Sequence, residues 1–238
     1  MGAIHGVGVG PGDPELLTLK AARLIAEADV VSYPRADDAP SFAREIVADR
    51  LAHVIEEPIV VPMRTDRHPA SAVYDDAAKR LLAHASAGRN VVVLCEGDPF
   101  FYGSFMYLFA RLSGEARVGV VPGVSSIMAA AAAIPRPLAS RNDTLQVLSA
   151  VRSDDALEAA LRGGEAAAII KLGRHLPRLR ALLDAMGLLD RTYYCERIGT
   201  SRGRTVRLDR MRGEEAPYFS LLLVYRGDEP AILGKART

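Results

Sequence analysis

The chain has 238 residues, 49% hydrophobic and 25% charged, with 30 Lys+Arg against 29 Asp+Glu and a formal net charge of +1. This is the composition of a folded α/β protein, and it excludes a disordered chain, a collagen and a disulfide-stapled miniprotein. The near-neutral balance shows no basic surplus of the kind that nucleic-acid binding draws on.

In chain order, residues 4–9 read as a short glycine-interrupted strand and 10–13 as a turn. Pro14 suits the first helical position behind Asp13 as N-cap, with Leu16, Leu17, Leu19, Leu24 and Ile25 as the apolar face. A second strand is expected at 30–33, a helix at 41–51, an extended piece at 59–61 and a helix at 73–85. Residues 91–95, VVVLC, are all apolar, as in a parallel strand buried on both faces. A Gly-Asp-Pro turn, a helix at 105–112, a buried strand at 118–121 and a helix at 125–133 follow. Pro135, Pro137 and Asn142 mark a linker. Beyond it, strands at 145–149 and 167–171 alternate with helices at 154–161 and 176–186. The strands at 192–198, 205–208 and 220–225 have little helix between them, which predicts antiparallel pairing. The expected architecture is α/β in two domains, 1–136 with a mostly parallel sheet and 137–238 with a mixed one.

Cys95 and Cys195 lie in apolar strands and read as buried structural thiols, and no Cys/His cluster has metal-ligand spacing. The N-terminus has no basic stretch ahead of an apolar one, and no apolar run is long enough to span a bilayer, so a cytoplasmic protein without membrane contact is expected.

Three glycine-bearing turns fall at the carboxyl ends of predicted parallel strands, at 8–13, 96–103 and 122–126. Ligands of open parallel sheets bind there. HGVGVGPGD fails the dinucleotide spacing, because the sixth position from Gly6 or Gly8 is Pro11 or Asp13, and no Gly-Lys-Ser/Thr follows.

GVGVGPGDPELLTLKAARLIAEADVV resembles the N-terminal signature of the tetrapyrrole (corrin/porphyrin) methylases. CEGDPFFYGSFMYL, VVPGVSSIMAAAAAIPRPL, IIKLGRHLPRL and CERIGTSRGRTVRL resemble the later blocks of that family, in order and across nearly the whole chain. The segment with SYPR, SFAREIV and VPMRTD is similar to the branch that methylates C-20 of precorrin-2 to give precorrin-3A in cobalamin biosynthesis. The branch acting on cobalt-factor II, other corrin-ring methylases and a non-catalytic nucleotide-binding α/β protein are the alternatives.

The resemblance implies two αβα domains with the active site between them, a homodimer, and S-adenosylmethionine as methyl donor, with S-adenosylhomocysteine as product and no metal. Mapped by motif, the cofactor residues are Pro11, Glu96, Gly97, Asp98, Ser125, Ser126, Leu172 and Glu196. Asp98 and Glu196 are the candidates for a general base that removes the C-20 proton. A substrate rich in carboxylates calls for Arg and Lys. Arg35 leads that set, with Arg64, Arg136, Arg141, Lys171 and Arg197 behind it. Asp13 and His5 are expected on the substrate side of the glycine turn.

Overall fold

The computed structural model describes residues 1–37, 39–61, 68–134, 136–213 and 215–233, with the backbone alone for 68–70 and 231. The chain forms two compact units, Met1–Ser125 and Ser126–Thr238. Of the expected linker, Pro135 lies outside the described residues.

The first unit is built on five parallel strands, β1 (Ile4–Gly8), β2 (Val30–Ala36), β3 (Ile55–Val61), β4 (Val91–Cys95) and β5 (Val118–Val121), in the order β3-β2-β4-β1-β5. Side chains alternate across each strand. Ile4, Val30, Val91, Val93 and Cys95 pack on one face against α3 (His68–Ser86) and α4 (Phe105–Leu112), through Tyr74, Leu81, Phe105 and Leu108. Val7, Val31, Tyr33, Val92 and Leu94 pack on the other against α1 (Leu19–Ala26) and α2 (Phe42–Ile46). Helices on both faces leave the central β4 no polar side, which is why all five of its residues are buried.

Three local expectations need correction. Residues 14–16 form a 3-10 turn capped by Asp13, and α1 starts only at Leu19, capped by the Thr18 hydroxyl accepting from the Ala21 amide at 3.1 Å. Leu17 turns extended between the two, so Leu19 falls outside the apolar face and is 91% exposed. The helix expected at 41–51 is α2 followed by a separate 3-10 turn at Ala48–Arg50. Finally, β5 is half-exposed, because among the described residues it is the edge strand of the sheet, next to β1.

α2 is fastened to β3 by charge. The Arg44 guanidinium donates two bonds to the Glu56 carboxylate, both 2.7 Å, and the Tyr33 hydroxyl donates a third at 2.6 Å. Arg44 first, then Tyr33, holds the Glu56 carboxyl below its ordinary value, against the opposing effect of burial.

The second unit carries β6 (Leu145–Ser149), β7 (Ala166–Ile170), β8 (Thr192–Glu196), β9 (Arg204–Arg207) and β10 (Ser220–Tyr225) in the order β6-β7-β10-β8-β9. β6 and β7 are parallel, β10 runs antiparallel between β7 and β8, and β9 is antiparallel to β8. The sheet is mixed, as the sequence predicts. β6, β7 and β8 therefore share one direction and end at the same edge. Its core sets Leu157 and Leu161 of α6 (Asp154–Arg162) and Leu176, Leu179 and Leu183 of α7 (Leu176–Ala185) against Ile169, Tyr194, Leu222 and Val224. α5 (Ser126–Ala133) packs along β10, and α8 (Pro230–Leu233), which the sequence reading missed, adds Ile232 to a small cluster with Tyr225. Four residues are too short a run to show a helical period.

Both cysteines are free and buried, and burial raises both thiols, with Cys195 pushed up to about 12. Among the described residues no helix is long and apolar enough to cross a membrane.

The Glu56 network gives a pH-dependent test. A carboxyl held low in the folded state stabilises above its unfolded value of 4.5 and loses that contribution as pH falls through the folded one. Arg44→Met should cost about 1 kcal/mol at neutral pH, solvent screening of this half-exposed pair included. Denaturant titrations should show the gap narrowing in acid.

Candidate functional site

β1 and β4 are neighbours whose chains leave in opposite directions. The loop after β1 leads to α1 on one face, and the loop after β4 leads to α4 on the other. This is a topological switch point, where an open sheet parts into a crevice. The two loops are bonded there. The Val9 amide donates to Cys95 O at 2.9 Å, the Gly97 amide to Gly10 O at 2.8 Å and the Gly10 amide to Gly97 O at 3.3 Å.

The loop after β5 closes on the same point, and only glycine allows it. A Cβ on Gly8 would lie 2.5 Å from Gly97 O and 2.6 Å from Gly123 N, and one on Gly123 would lie 2.0 Å from Gly97 O. Gly97 has φ +63° and Gly10 φ +79°, both left-handed. Asp98 stitches the result together. Its carboxylate accepts from the Phe100 amide at 2.9 Å, the Phe101 amide at 3.1 Å and the Gly123 amide at 3.1 Å.

The structure brings several sequence candidates to this knot. Gly97 and Asp98 form it. Pro11 follows Gly10 directly and is buried. Ser125 passes close, its Cα 3.8 Å from where a Gly97 Cβ would stand, and Ser126 opens α5 in the second unit. Glu96 follows β4 directly, and burial raises its carboxyl above the ordinary value, against the opposing amides of Glu96 itself and of Ala43 on α2.

Arg35, near the end of β2, has a buried Nε without a hydrogen-bond partner. β2 pairs with β4 only as far as Ser32 opposite Val93, then continues to Ala36 along β3. The sheet thus opens between β2 and β4 just before Arg35. Asp13 is committed locally, its carboxylate accepting from the Glu15 amide at 2.9 Å.

His5 lies apart from the knot. It is the second residue of β1, and its ring stands over Gly119 of β5, where a Cβ would be 2.6 Å from the His5 ring. Sequence adjacency to the glycine turn misleads here, because a strand residue is carried about 3.3 Å along the sheet per position.

In the second unit, Leu172 follows β7 with its side chain wholly buried in the core, so what it offers a ligand is backbone. Glu196 ends β8 and accepts a hydrogen bond from the Tyr194 hydroxyl. Lys171 and Arg197 come directly after β7 and β8, and both have left-handed backbones, at φ +63° and +47°. Side chains seldom adopt this region, and strain of this kind gathers at functional loops. Arg141 shares it at φ +47° and pairs with Glu229 at 3.8 Å. Arg136 lies over the Tyr193 ring, 4.8 Å from its centroid, and donates to Leu223 O at 3.3 Å. Arg64 lies outside the described residues. Among the described residues no group of three or more His, Cys, Asp or Glu is placed to hold a metal ion.

Sequence reasoning missed the Arg44–Glu56–Tyr33 network, whose members are 11 to 23 residues apart. It also missed Gly8 and Gly123 as contact residues. The signal for them was present, a glycine at each of two predicted strand ends, but their neighbours depend on strand order.

Residues 3–211 match the family described as Tetrapyrrole (Corrin/Porphyrin) Methylases. The chain belongs to this family. It is similar to the cobalamin biosynthesis protein CobIJ of Mycobacterium tuberculosis (strain ATCC 25618 / H37Rv), 42% identical over 98% of this chain and 47% of that one. The chain thus spans about half the length of that relative. It is also similar to precorrin-2 C(20)-methyltransferase of Sinorhizobium sp, 38% identical over 94% of this chain and 95% of that one. The structure of uroporphyrin-III C-methyltransferase from Thermus thermophilus, complexed with S-adenosylhomocysteine, superposes with TM-score 0.67 at 29% identity, covering 94% and 97% of the two chains.

Two consequences are measurable. Gly123→Ala should cost about 3 kcal/mol or more, because its clash is with backbone that cannot rotate away. Gly88→Ala, with φ +83° but nothing within 4 Å, should cost only about 1–2 kcal/mol of backbone strain. Urea melts of the two variants separate crowding from conformation. At Glu96 a raised carboxyl loses stability for the fold as pH climbs from the unfolded value through the folded one. Glu96→Gln should therefore melt higher than the parent at neutral pH, and at the same temperature in acid.

Proposed function

We propose that this chain is an S-adenosylmethionine-dependent C-methyltransferase that methylates C-20 of precorrin-2 to give precorrin-3A. The observation that carries the reading is the joining of the loops after β1, β4 and β5 at Gly8, Gly97 and Gly123. It is supported by the Sinorhizobium relative named for that reaction, matched over 94% of this chain, and by the Thermus relative's complex with the demethylated cofactor.

The residues fit such a cofactor. The knot presents backbone, with left-handed glycines that let a ligand approach closely. The Glu96 carboxyl matches the hydroxyls and ammonium of a nucleoside–amino acid conjugate. Pro11, Glu96, Gly97, Asp98, Ser125, Ser126, Leu172 and Glu196 are the proposed cofactor residues, with Leu172 acting through its backbone. When bound, S-adenosylmethionine supplies an electrophilic methyl group on a sulfonium, whose sulfur leaves neutral and needs no acid.

The protein's task is then to align donor and acceptor and to hold polar groups in fixed positions. Asp98 serves by fixing the loop, since three amides already occupy its oxygens. Glu196 accepts one hydroxyl and keeps lone pairs free. Of the two base candidates it is the better placed to take the proton that C-20 loses as the carbon–carbon bond forms. Arg35 binds a substrate carboxylate through the guanidinium whose Nε lacks a partner. Asp13 acts as a turn cap, and His5 is withdrawn from the substrate set. The protein works in the cytoplasm, as a homodimer.

Incubation with precorrin-2 and labelled S-adenosylmethionine should place one methyl group at C-20. Label at another ring carbon, or label accepted only by cobalt-factor II, overturns the assignment. Arg35→Ala should raise KM about tenfold, the worth of one charge-assisted contact, with kcat little changed.

A further inference from the structure

At the opposite end of the first sheet from the glycine knot there is a pocket of about 300 Å³. Ala3, Asn90 and Arg117, which line it, each precede or introduce a strand, so it opens at the amino ends of β1, β4 and β5. His5 lines it from β1, roughly 10 Å along the strand from Gly8 at about 3.3 Å per residue. Lys20 and Arg23 of α1 and Glu27, which caps its C-terminal end, follow at helical spacing and line the pocket.

The charges there are unbalanced. Arg23 pairs with Glu27 at 2.9 Å. Neither Lys20 nor Arg117 has an ion-pair partner among the described residues. Three cations therefore face one carboxylate around a half-buried imidazole, with the Asn90 amide group beside them. Gly119 makes the room. Any side chain at that position of β5 would strike the His5 ring, which stands 2.6 Å from the place of a Cβ. Like charges held round a cavity repel unless an anion joins them.

We propose that this pocket binds a small oxyanion of the phosphate class, held between Lys20 and Arg117 with the His5 ring as a third contact. Lys20 and Arg117 supply charge and N–H donors to separate oxygens. In the anion-free protein burial lowers the His5 pKa, and Lys20, Arg117 and Arg23 lower it further. A bound anion offsets those cations and favours the imidazolium, which adds a donor. Binding and His5 protonation are thus linked, each promoting the other. The site is separate from the methyl-transfer reading and stands or falls without it.

The test follows the His5 ring by NMR across its titration, in the full chain, with inorganic phosphate or diphosphate against chloride at matched ionic strength. The expected result is saturable binding, about tenfold tighter to the protonated than to the neutral ring. The double variant Lys20→Gln/Arg117→Gln should abolish the difference between phosphate and chloride. A His5 titration that is the same in both salts overturns the proposal. So does a phosphate effect that survives the double variant. S-adenosylhomocysteine binding, measured in parallel, should be equal in parent and variant, which keeps the test independent of the cofactor reading.

Discussion

Strand ends in a parallel sheet are held apart by their side chains, and at one point in this protein the side chains are missing. Gly8, Gly97 and Gly123 bring the loops after β1, β4 and β5 into backbone contact, with no space for a methyl group on Gly8 or Gly123. The contact depends on the sheet order, since β1 lies between β4 and β5. It also sets what the site can be. A crevice walled by main chain recognises ligands through amides and carbonyls, whose positions the sheet fixes. Preorganised dipoles of this kind cost nothing to reorient when a ligand binds. Two left-handed glycines and the three amide bonds to Asp98 keep the loops in that arrangement.

The acidic residues divide according to their surroundings. Asp98 is saturated by amides and acts as a brace. Glu56 is held ionised by Arg44 and fastens α2 to the sheet. Glu96, two residues before the brace, is pushed towards its neutral form by burial. The difference between Glu56 and Glu96 is the presence of a guanidinium. Pairing favours the charged carboxylate, and burial without a full partner disfavours it.

The second unit reaches a comparable arrangement by a different route. An antiparallel strand, β10, is placed between β7 and β8, yet those two strands still end at one edge. At that edge the residues after β7 and β8 are cations in a left-handed conformation. Membership of the tetrapyrrole methylases gives these loops a context, since the family match runs through both of them.

Much was legible in the chain itself. The continuous apolar run of β4 announced burial on both faces, and the closely spaced strands after residue 190 announced antiparallel pairing. The five motif blocks carried the family. These are local or pattern-borne signals, set by side-chain periodicity and turn chemistry. What the tertiary structure alone decided depends on neighbours far away in sequence. Gly8 and Gly123 are ordinary turn residues until the strand order places them 115 positions apart and in contact. That the Asp98 carboxylate accepts from the Gly123 amide, 25 positions away, is likewise a contact that no local pattern announces. His5 sits beside the glycine turn in sequence but on another part of the sheet in space, because an extended chain travels fast along its own axis. Periodicity fixes which face a residue takes, and only packing fixes which residue it meets there.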